Sequence, residues 1–406
     1  MRAIPSSSLI VFFILLITIE LVSYFGVKEL FKNIYGRISL KNKLAFLILS
    51  SVSIGILVYS FSNPALIRQS RDYSFFYFVI GLSVLNLVPK FFFSIASIIS
   101  LISRLIFNFR VQQIILTGSF ILSVGMFFTI LFGVFIGKNQ VVVNKQEVAI
   151  SELPEQLTGF KIIQISDIHL GSFGKNTKVL NATVDRINSL KPDLLLFTGD
   201  IVNNFKEEMV GFDSQLSMLS AKYGKYAIMG NHDYGDYYQW SDAIEKKENL
   251  AKIEQNLTDA GFKLLLNQWD KLKIKDTSIA IIGVENWGHR PFPQYADLQK
   301  ATTGMPSNLF KILMTHDPAH WDAVVVPKTD IPLTLSGHTH GGQFGIKIAG
   351  IEFSPMYLIQ KRWGGLYQSE NQQLYVNRGL GTIGFPGRIE MYPEITLITL
   401  SRTKSH

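Results

Sequence analysis

The chain has 406 residues, 47% of them hydrophobic, and its mean hydropathy of +0.22 is high for a water-soluble protein. It contains no cysteine, so disulfides, zinc–thiolate sites, iron–sulfur clusters and cysteine nucleophiles are excluded. The net charge is +8, but the basic residues are scattered and several adjoin apolar stretches, which disfavours nucleic acid as a partner.

Residues 1–138 are dominated by apolar runs long enough to cross a bilayer, which takes about 20 residues in a helix. We predict a transmembrane domain with four helices, at 9–27, 44–61, 73–89 and 114–136. The serine-rich apolar segment 90–110 either lengthens the third helix, lies in the interface or forms a further span. Glu20, inside the first span, is expected to reach the interface near the helix end rather than to act within the hydrocarbon.

The basic residues of the loops predict an orientation in the membrane. With four spans, the N-terminus, the second loop and the C-terminal domain share one side. The first and third loops share the other side, and they hold more of the lysines and arginines, which concentrate in cytoplasmic loops. The first and third loops contain Lys28, Lys32, Arg37, Lys41, Lys43, Lys90, Arg104 and Arg110. The side of the C-terminal domain has Arg2, Arg68, Arg71, Lys138 and Lys145. We therefore predict an integral, multi-pass plasma membrane protein whose C-terminal domain is extracytoplasmic, provided that 90–110 is not a fifth span.

Residues 139–406 have the pattern of one soluble domain, in which short apolar runs end in polar residues. Five such runs are FKIIQISDIHL, PDLLLFTGD, KYAIMGNHD, FKILMTHDP and IPLTLSGHTH. Continuous apolar strands with polar C-terminal ends indicate a buried sheet that presents a site along one edge. The segment SDAIEKKENLAKIEQNLTDAG is predicted to be a helix that covers a face of this sheet.

Five of the eight histidines lie at these strand ends, and the first three have Asp or Asn within two residues: His169, His232, His316, His338 and His340. Imidazole and carboxylate ligands together suit Zn, Mn, Fe, Co or Ni, and a carboxylate can bridge two such ions roughly 3.5–4 Å apart. Asp167 and His169 alternate along a segment that we expect to be extended, so both side chains would point to one side. His338 and His340 repeat this spacing between glycines, which allow a tight turn.

In order along the chain, the motifs Asp-x-His, Gly-Asp, Gly-Asn-His-Asp, His and Gly-His-x-His resemble those of the calcineurin-like metallophosphoesterase superfamily. The stretches LPEQLTGFKIIQISDIHLGS, GHTHGGQ and YVNRGLGTIGFPGRIEMYPEITLITL are similar to its YkuE/YaeI-like branch of membrane-associated bacterial phosphodiesterases. The resemblance covers the whole domain at 139–406. It implies an α/β metallophosphoesterase fold, a four-layer α/β/β/α sandwich of two mixed sheets, after the helical transmembrane region at 1–138.

The resemblance also implies a set of metal ligands and their division between two divalent ions. A first ion would be bound by Asp167, His169 and His340, a second by Asn231, His316 and His338, and Asp200 would bridge the two. The two ions would be Mn, Zn, Fe, Co or Ni.

His232 binds no metal in this scheme and serves as the catalytic proton donor or transition-state stabiliser. Asp233 is either the partner of its ring or a cap in the turn after the strand. The two ions would neutralise phosphate oxygens and lower the pKa of a bridging water, which attacks in line as hydroxide. No Ser, Thr or Cys nucleophile is required.

We therefore predict a membrane-anchored, binuclear metal-dependent phosphoesterase that hydrolyses phosphodiester or pyrophosphate bonds of a lipid-linked or membrane-surface substrate. The alternatives are a phosphomonoesterase or phosphoprotein phosphatase, a non-catalytic membrane sensor, and a transporter with an attached hydrolase. The stretch IVNNF after Asp200 lacks the Asp-Arg-Gly of serine/threonine protein phosphatases. The segment FSPMYLIQKRWGGLYQ either flanks an acyl chain or forms core strands, and Arg378 is a candidate for binding phosphate. The sequence predicts no oligomeric state.

Overall fold

The computed structural model describes residues 6–35, 39–62, 71–288 and 292–403. The chain forms two compact units, Met1–Ile136 with Gly384–Gly387, and Gly137–Ile383 with Arg388–His406. The first is helical and the second contains the β-sheets. The domain boundary at residues 138 and 139 remains our proposal.

Within its described residues the helical unit has four long helices, α1 (Ser6–Tyr35), α2 (Leu40–Ser62), α3 (Ser74–Ile106) and α4 (Phe109–Phe135). All four are long and apolar enough to cross a membrane. Most of the segment 90–110 lengthens the third helix, because α3 has 33 residues and continues through Pro89 to Ile106, while residues 109 and 110 begin α4. At 1.5 Å per residue this helix is about 50 Å long, well beyond the roughly 30 Å hydrocarbon core.

Glu20 lies midway along α1 rather than near its end, contrary to our expectation. Its carboxylate is buried and accepts hydrogen bonds from Lys90 Nζ at 2.8 Å, Ser50 Oγ at 2.6 Å and Asn86 Nδ2 at 3.0 Å. Polar side chains of α2 and α3 therefore stabilise the Glu20 carboxylate inside the helical unit. Without these partners the carboxylate would be costly to bury, because an unpaired charge is unfavourable in hydrocarbon.

The second unit contains two six-stranded sheets and a small hairpin. The first sheet has the order β1-β14-β2-β3-β4-β5, with β1 (Val142–Ile150), β2 (Lys161–Ile165), β3 (Leu194–Phe197), β4 (Lys225–Ala227), β5 (Phe262–Leu264) and β14 (Glu394–Arg402). The second has the order β12-β13-β9-β8-β7-β6, with β6 (Gln268–Ile274), β7 (Thr277–Gly283), β8 (Phe310–Met314), β9 (Leu333–Ser336), β12 (Gly365–Ser369) and β13 (Gln372–Val376). The hairpin pairs β10 (Ile346–Ile348) with β11 (Ile351–Phe353).

Both sheets are mixed. In the first, β2, β3, β4 and β5 are parallel neighbours, while β14 pairs antiparallel with β2. In the second, β7, β8, β9 and β13 are parallel, and β6 and β12 are antiparallel edge strands. The parallel strands bring their carboxyl ends to one edge of each sheet.

Three apolar cores separate the layers. The central core joins the two sheets through residues such as Ile162, Leu196 and Ile281. On the outer face of the first sheet, α5 (Lys178–Ser189) and α7 (Ala243–Asp259) bury one apolar side each, while α6 (Asp213–Met218) adds Leu216. Trp321 belongs to the core on the outer face of the second sheet, near the short helices α8 (Leu298–Ala301) and α9 (Val326–Lys328). The predicted α/β/β/α sandwich is confirmed.

The five polar-ended apolar runs form β2, β3, β4, β8 and β9, and the predicted covering helix is α7. Each run is fully or almost fully buried along its strand, as expected for strands covered on both faces. The polar residues that follow these strands are therefore collected where the two sheets meet.

Replacing Ile281 with Ala tests the core between the sheets, because this side chain is fully buried there. We expect Ile281→Ala to destabilise this unit by about 2–5 kcal/mol. Ile244→Ala is the matched control, since Ile244 is 70% exposed. Thermal unfolding followed by tryptophan fluorescence reports on this unit alone, because all five tryptophans lie in it, at positions 240, 269, 287, 321 and 363. Equal midpoints for the two variants would contradict the assignment of the core.

Candidate metal centre

The candidate ligands lie in the loops that follow five strands. The loops after β2, β3 and β4 come from the first sheet, and those after β8 and β9 come from the second. Because these strands are parallel within each sheet, their carboxyl ends meet at one edge of the sandwich. The structure brings all seven predicted ligands together at this edge: Asp167, His169, Asp200, Asn231, His316, His338 and His340.

A first group joins the loop after β2 to the loop after β9. Nε2 of His340 lies 3.1 Å from Nε2 of His169 and 3.3 Å from Oδ1 of Asp167. All three side chains are buried, and their ligand atoms could hold one ion.

A second group joins the loops after β4, β8 and β9. Oδ1 of Asn231 is 2.9 Å from Nε2 of His316 and 2.8 Å from Nδ1 of His338, and the two histidine nitrogens are 3.2 Å apart. The three atoms therefore form a triangle with nearly equal sides.

Asp200, from the loop after β3, lies between these groups. Its Oδ2 is 3.6 Å from Nε2 of His169 and 3.2 Å from Nε2 of His316, one member of each group. Asp167 also approaches both groups, since Asp167, Asp200 and His316 form another cluster that could bind an ion.

The donor spacing suits transition-metal ions. Two ligand atoms at about 2.0–2.2 Å from one ion lie roughly 3 Å apart. The separations within the two groups range from 2.8 to 3.3 Å. Nitrogen donors combined with carboxylate and amide oxygens match the preferences of Zn, Mn, Fe, Co and Ni.

The backbone that carries these ligands is unusual. Five of the seven have a positive φ, between 44° and 75°, although residues other than glycine seldom adopt this conformation: Asp167, His169, Asp200, His338 and His340. The expectation of an extended Asp-x-His segment was therefore wrong. Both residues reach the site from a left-handed loop, and such strained conformations persist where the surrounding structure holds them.

Two of the histidines are oriented by backbone carbonyl groups. Nδ1 of His169 lies 3.1 Å from the carbonyl oxygen of Val202, and Nδ1 of His316 lies 2.8 Å from that of Thr198. A ring that donates from Nδ1 presents the lone pair of Nε2, as metal-binding histidines commonly do.

Burial and mutual charge determine the protonation of the group. Burial lowers the pKa of His169 to about 3 and also lowers the pKa values of His338 and His340, which leaves these rings in the neutral form that binds metal. Burial opposes ionisation of His316 and Asp200 too, but their attraction prevails. It raises the pKa of His316 to about 10 and holds the pKa of Asp200 below its usual range. The buried carboxylate therefore requires a positive charge beside it.

His232 stands beside the ligands and is half-buried. Its Nδ1 is 2.8 Å from the carbonyl oxygen of Asn203, and its backbone N–H donates to Oδ1 of Asp200 at 2.9 Å. Its ring stacks on Tyr237 with centroids 4.5 Å apart and meets His169 edge-on at 5.0 Å. Donation from Nδ1 leaves Nε2 as the atom that can exchange a proton with a ligand in the site.

Asp233 is not the partner of the His232 ring. Its carboxylate accepts hydrogen bonds from the backbone N–H groups of Gly230, Asp200, Ile201 and Val202, at 2.8 to 3.2 Å. It therefore holds the loops after β3 and β4 together, and the ring is oriented by the Asn203 carbonyl instead.

Three supporting residues were missed by the sequence analysis. Glu208 is buried and accepts from the backbone N–H groups of 171, 203, 204 and 205. Arg388 is fully buried, donates to the carbonyl oxygens of 381 and 391, and places Nη2 3.2 Å from Nδ1 of His340. Tyr237 accepts a 2.8 Å hydrogen bond from Nδ2 of Asn231, which turns Oδ1 of that amide toward the histidines. A lone arginine in the apolar stretch GFPGRIEMYP was the available signal for Arg388.

Arg378 contacts protein groups rather than an open site. Its guanidinium pairs with Glu352 and lies over the ring of Trp363, 5.6 Å from the centroid. The structure therefore offers no support for the prediction that Arg378 binds phosphate.

Comparison with known proteins identifies the domain. The profile of the calcineurin-like phosphoesterase family matches residues 160–342. The metallophosphoesterase YkuE of Bacillus subtilis is 35% identical over 258 residues, which cover 62% of this chain and 83% of YkuE. The phosphodiesterase YaeI of Escherichia coli is 27% identical, covering 59% of this chain and 82% of YaeI.

A eukaryotic relative combines the same domain with a membrane region. The zebrafish transmembrane protein with metallophosphoesterase domain is 30% identical over 63% of this chain and 56% of its own length. In this chain, four apolar helices precede the matched domain. The chain is thus a membrane protein, and it belongs to the calcineurin-like metallophosphoesterases, a family of metal-dependent phosphoester hydrolases.

Proposed function

We propose that this protein hydrolyses phosphodiester bonds with two divalent metal ions, on a substrate at the membrane surface. The observation that carries the proposal is the meeting of two three-residue donor groups with Asp200 between them. In this assignment Asp167, His169 and His340 bind one ion, and the other group, from the loops after β4, β8 and β9, binds the second. Ions bound there would neutralise phosphate oxygens and activate water.

The protein's own groups then supply orientation and proton transfer. The Asn203 carbonyl accepts from Nδ1 and fixes the His232 ring, so that the ring, when it also carries a proton on Nε2, can give that proton to the leaving oxygen of the substrate. Stacking on Tyr237 limits rotation of the ring. Asp233 and Glu208 hold the loops that carry Asp200 and Asn203 by accepting backbone N–H groups.

A phosphodiester is the favoured bond type because YaeI, which is 27% identical to this chain, is named a phosphodiesterase. A phosphomonoester or phosphoprotein substrate is the alternative within the same reaction class. The membrane location favours a lipid or lipid-linked substrate, because the anchored domain meets such molecules at high local concentration. A non-catalytic sensor is disfavoured, since no ligand of the family pattern is missing.

Asp200→Asn tests the metal centre. We expect wild-type protein loaded with Mn²⁺ to contain two transition-metal ions per chain and to hydrolyse a soluble phosphodiester faster than a phosphomonoester. The variant should lose metal and most activity, because the amide has no negative charge to share between two cations. Elemental analysis and steady-state kinetics are the measurements, with Asp185→Asn on the exposed side of α5 as control. Full metal content in Asp200→Asn, or no metal in wild type, would refute the assignment.

His232→Ala separates proton transfer from metal binding. We expect kcat on a phosphodiester to fall by roughly 10²-fold or more, while metal content stays near that of wild type. The loss should be smaller for a diester whose leaving group is a weak base, because such a group departs without a proton. A parallel loss of metal would make His232 a ligand, and unchanged kcat would remove it from the reaction.

The extracytoplasmic location of the metal-binding domain is also a proposal. Lys90 pairs with Glu20 inside the helical unit, so we do not count it as a loop charge. The first and third loops then have seven basic residues, and the side of the C-terminal domain has five. Arg2, Arg37 and Arg68, which enter this comparison, lie outside the described residues. Because α3 is one continuous helix, the structure supports the four-span arrangement on which the extracytoplasmic location depends.

Because the chain lacks cysteine, single cysteines report on topology. In intact cells, a membrane-impermeant maleimide should label Met218→Cys, which is 57% exposed in the metal-binding unit. The matched site Lys41→Cys, exposed at the start of α2, should react only after permeabilisation. The opposite labelling pattern would place the domain in the cytoplasm.

A further inference from the structure

The segment 344–359, directly after the GHTHGGQ loop, exposes an unusual number of large hydrophobic side chains. We refer to these eight residues as the apolar patch: Phe344, Ile346, Ile348, Ile351, Phe353, Tyr357, Leu358 and Ile359. Leu358 and Ile359 at its tip are 80% and 83% exposed. A contiguous exposed patch of this kind marks an interaction surface rather than a scattered set of apolar residues.

The β10–β11 hairpin in this patch has an apolar face and a polar face, and the apolar face is on the outside. In the antiparallel register, Ile346 pairs with Phe353 and Ile348 with Ile351, so these four side chains share one face. The opposite face carries the pair Lys347 and Glu352. Glu352 also binds Arg378, a buried residue of the domain. The polar face therefore points toward the protein and the apolar face away from it, the reverse of a hairpin that covers a core.

The patch is joined rigidly to the metal centre. Ser354 is fully buried, and its Oγ lies 2.7 Å from the carbonyl oxygen of Gly341 and 2.9 Å from that of Phe344, so its one proton can be donated to either. Gly341 immediately follows His340, a candidate ligand. A side chain on Gly342 would meet Ser354 Oγ at 2.9 Å, so the ligand loop and the patch are in close contact. Anything that binds the patch is held next to the candidate ions.

We propose that the apolar patch inserts into the interfacial region of a lipid bilayer and holds the metal centre at the membrane surface. The substrate in this arrangement is the phosphoester headgroup of a membrane lipid, a statement that rests on the proposed function. The chain is itself a membrane protein, so a bilayer is always the nearest apolar phase. Tyr357 and the exposed Lys361 flank the tip as aromatic and basic residues do at a membrane interface.

The two interpretations of FSPMYLIQKRWGGLYQ, an acyl-chain contact and core strands, apply to different parts of this segment. Only its last part, from Gly365, enters a strand of the second sheet, while residues 355–359 form an exposed turn. The core-strand interpretation therefore holds for β12 alone. The exposed turn is the part available to lipid.

Insertion is tested with an environment-sensitive fluorophore on single cysteines in the otherwise cysteine-free chain. The full-length protein is placed in nanodiscs of phosphatidylcholine and phosphatidylglycerol, with one protein per disc. We expect labels at Ile348→Cys and Leu358→Cys to show blue-shifted emission and quenching by a doxyl group on the lipid acyl chain. Ile244→Cys is the matched control, because Ile244 is an exposed apolar residue of the same unit outside the patch.

Two results would overturn the insertion. The first is emission and quenching at 348 and 358 equal to those at 244, which means that the patch faces water. The second is a blue shift that requires a second copy of the chain and is not quenched by doxyl lipid, which means that the patch is a protein interface.

The substrate part of the inference is tested with the double variant Ile348→Glu, Leu358→Glu. Hydrolysis of a phosphodiester lipid in vesicles should fall at least tenfold, while hydrolysis of a soluble phosphodiester and the metal content stay as in wild type. Equal activity of variant and wild type on vesicles would overturn a lipid substrate presented through the patch. Inactivity of wild type on both substrates would overturn the proposed function instead, and the fluorescence result would still decide the insertion.

Discussion

The constraint on which the rest of this structure depends is the burial of carboxylates and imidazoles at the edge where two sheets meet. Asp167 and Asp200 are almost completely inaccessible, and an ionised carboxylate in such a place is costly without a compensating charge. His316 compensates Asp200 when protonated, as its raised pKa shows, and a bound cation compensates it without a proton. The same cluster is therefore poised to exchange protons for metal ions, which is the electrostatic requirement of a metal site.

The conformations of the loops around the cluster serve this electrostatic requirement. Five ligands adopt left-handed backbone conformations, and buried acceptors elsewhere hold those loops in place. Asp233 accepts four backbone N–H groups from the loops after β3 and β4, while Glu208 performs the same task for the turn that contains Asn203. Arg388 supplies the complementary donors to backbone carbonyls near His340. The charged residues that the mechanism does not use thus keep the reactive ones in position.

Each of the two units has a feature that relates to a membrane. Within the helical unit, Glu20 and Lys90 form a buried pair that links three helices, which accounts for two charged residues in apolar segments without a catalytic role. In the metal-binding unit, the outward apolar face of the β10–β11 hairpin has no such internal explanation, because its polar face is the one that contacts the domain. A hydrolase with this surface beside its ligand loop is suited to substrates that remain in the bilayer.

By itself, the sequence determined the four apolar helices and the five buried strands, since apolar patterning is a local property. Through the family resemblance of its motifs it also implied the seven candidate ligands. It also determined the family, because the ordered motifs carry that information. Only the tertiary structure decided that Glu20 is paired, that Asp233 binds backbone rather than His232, and that Asp167 and His169 reach the site from a left-handed loop. Most of the partners involved lie 30 to 171 residues away along the chain, and distant partners leave no trace in a local pattern.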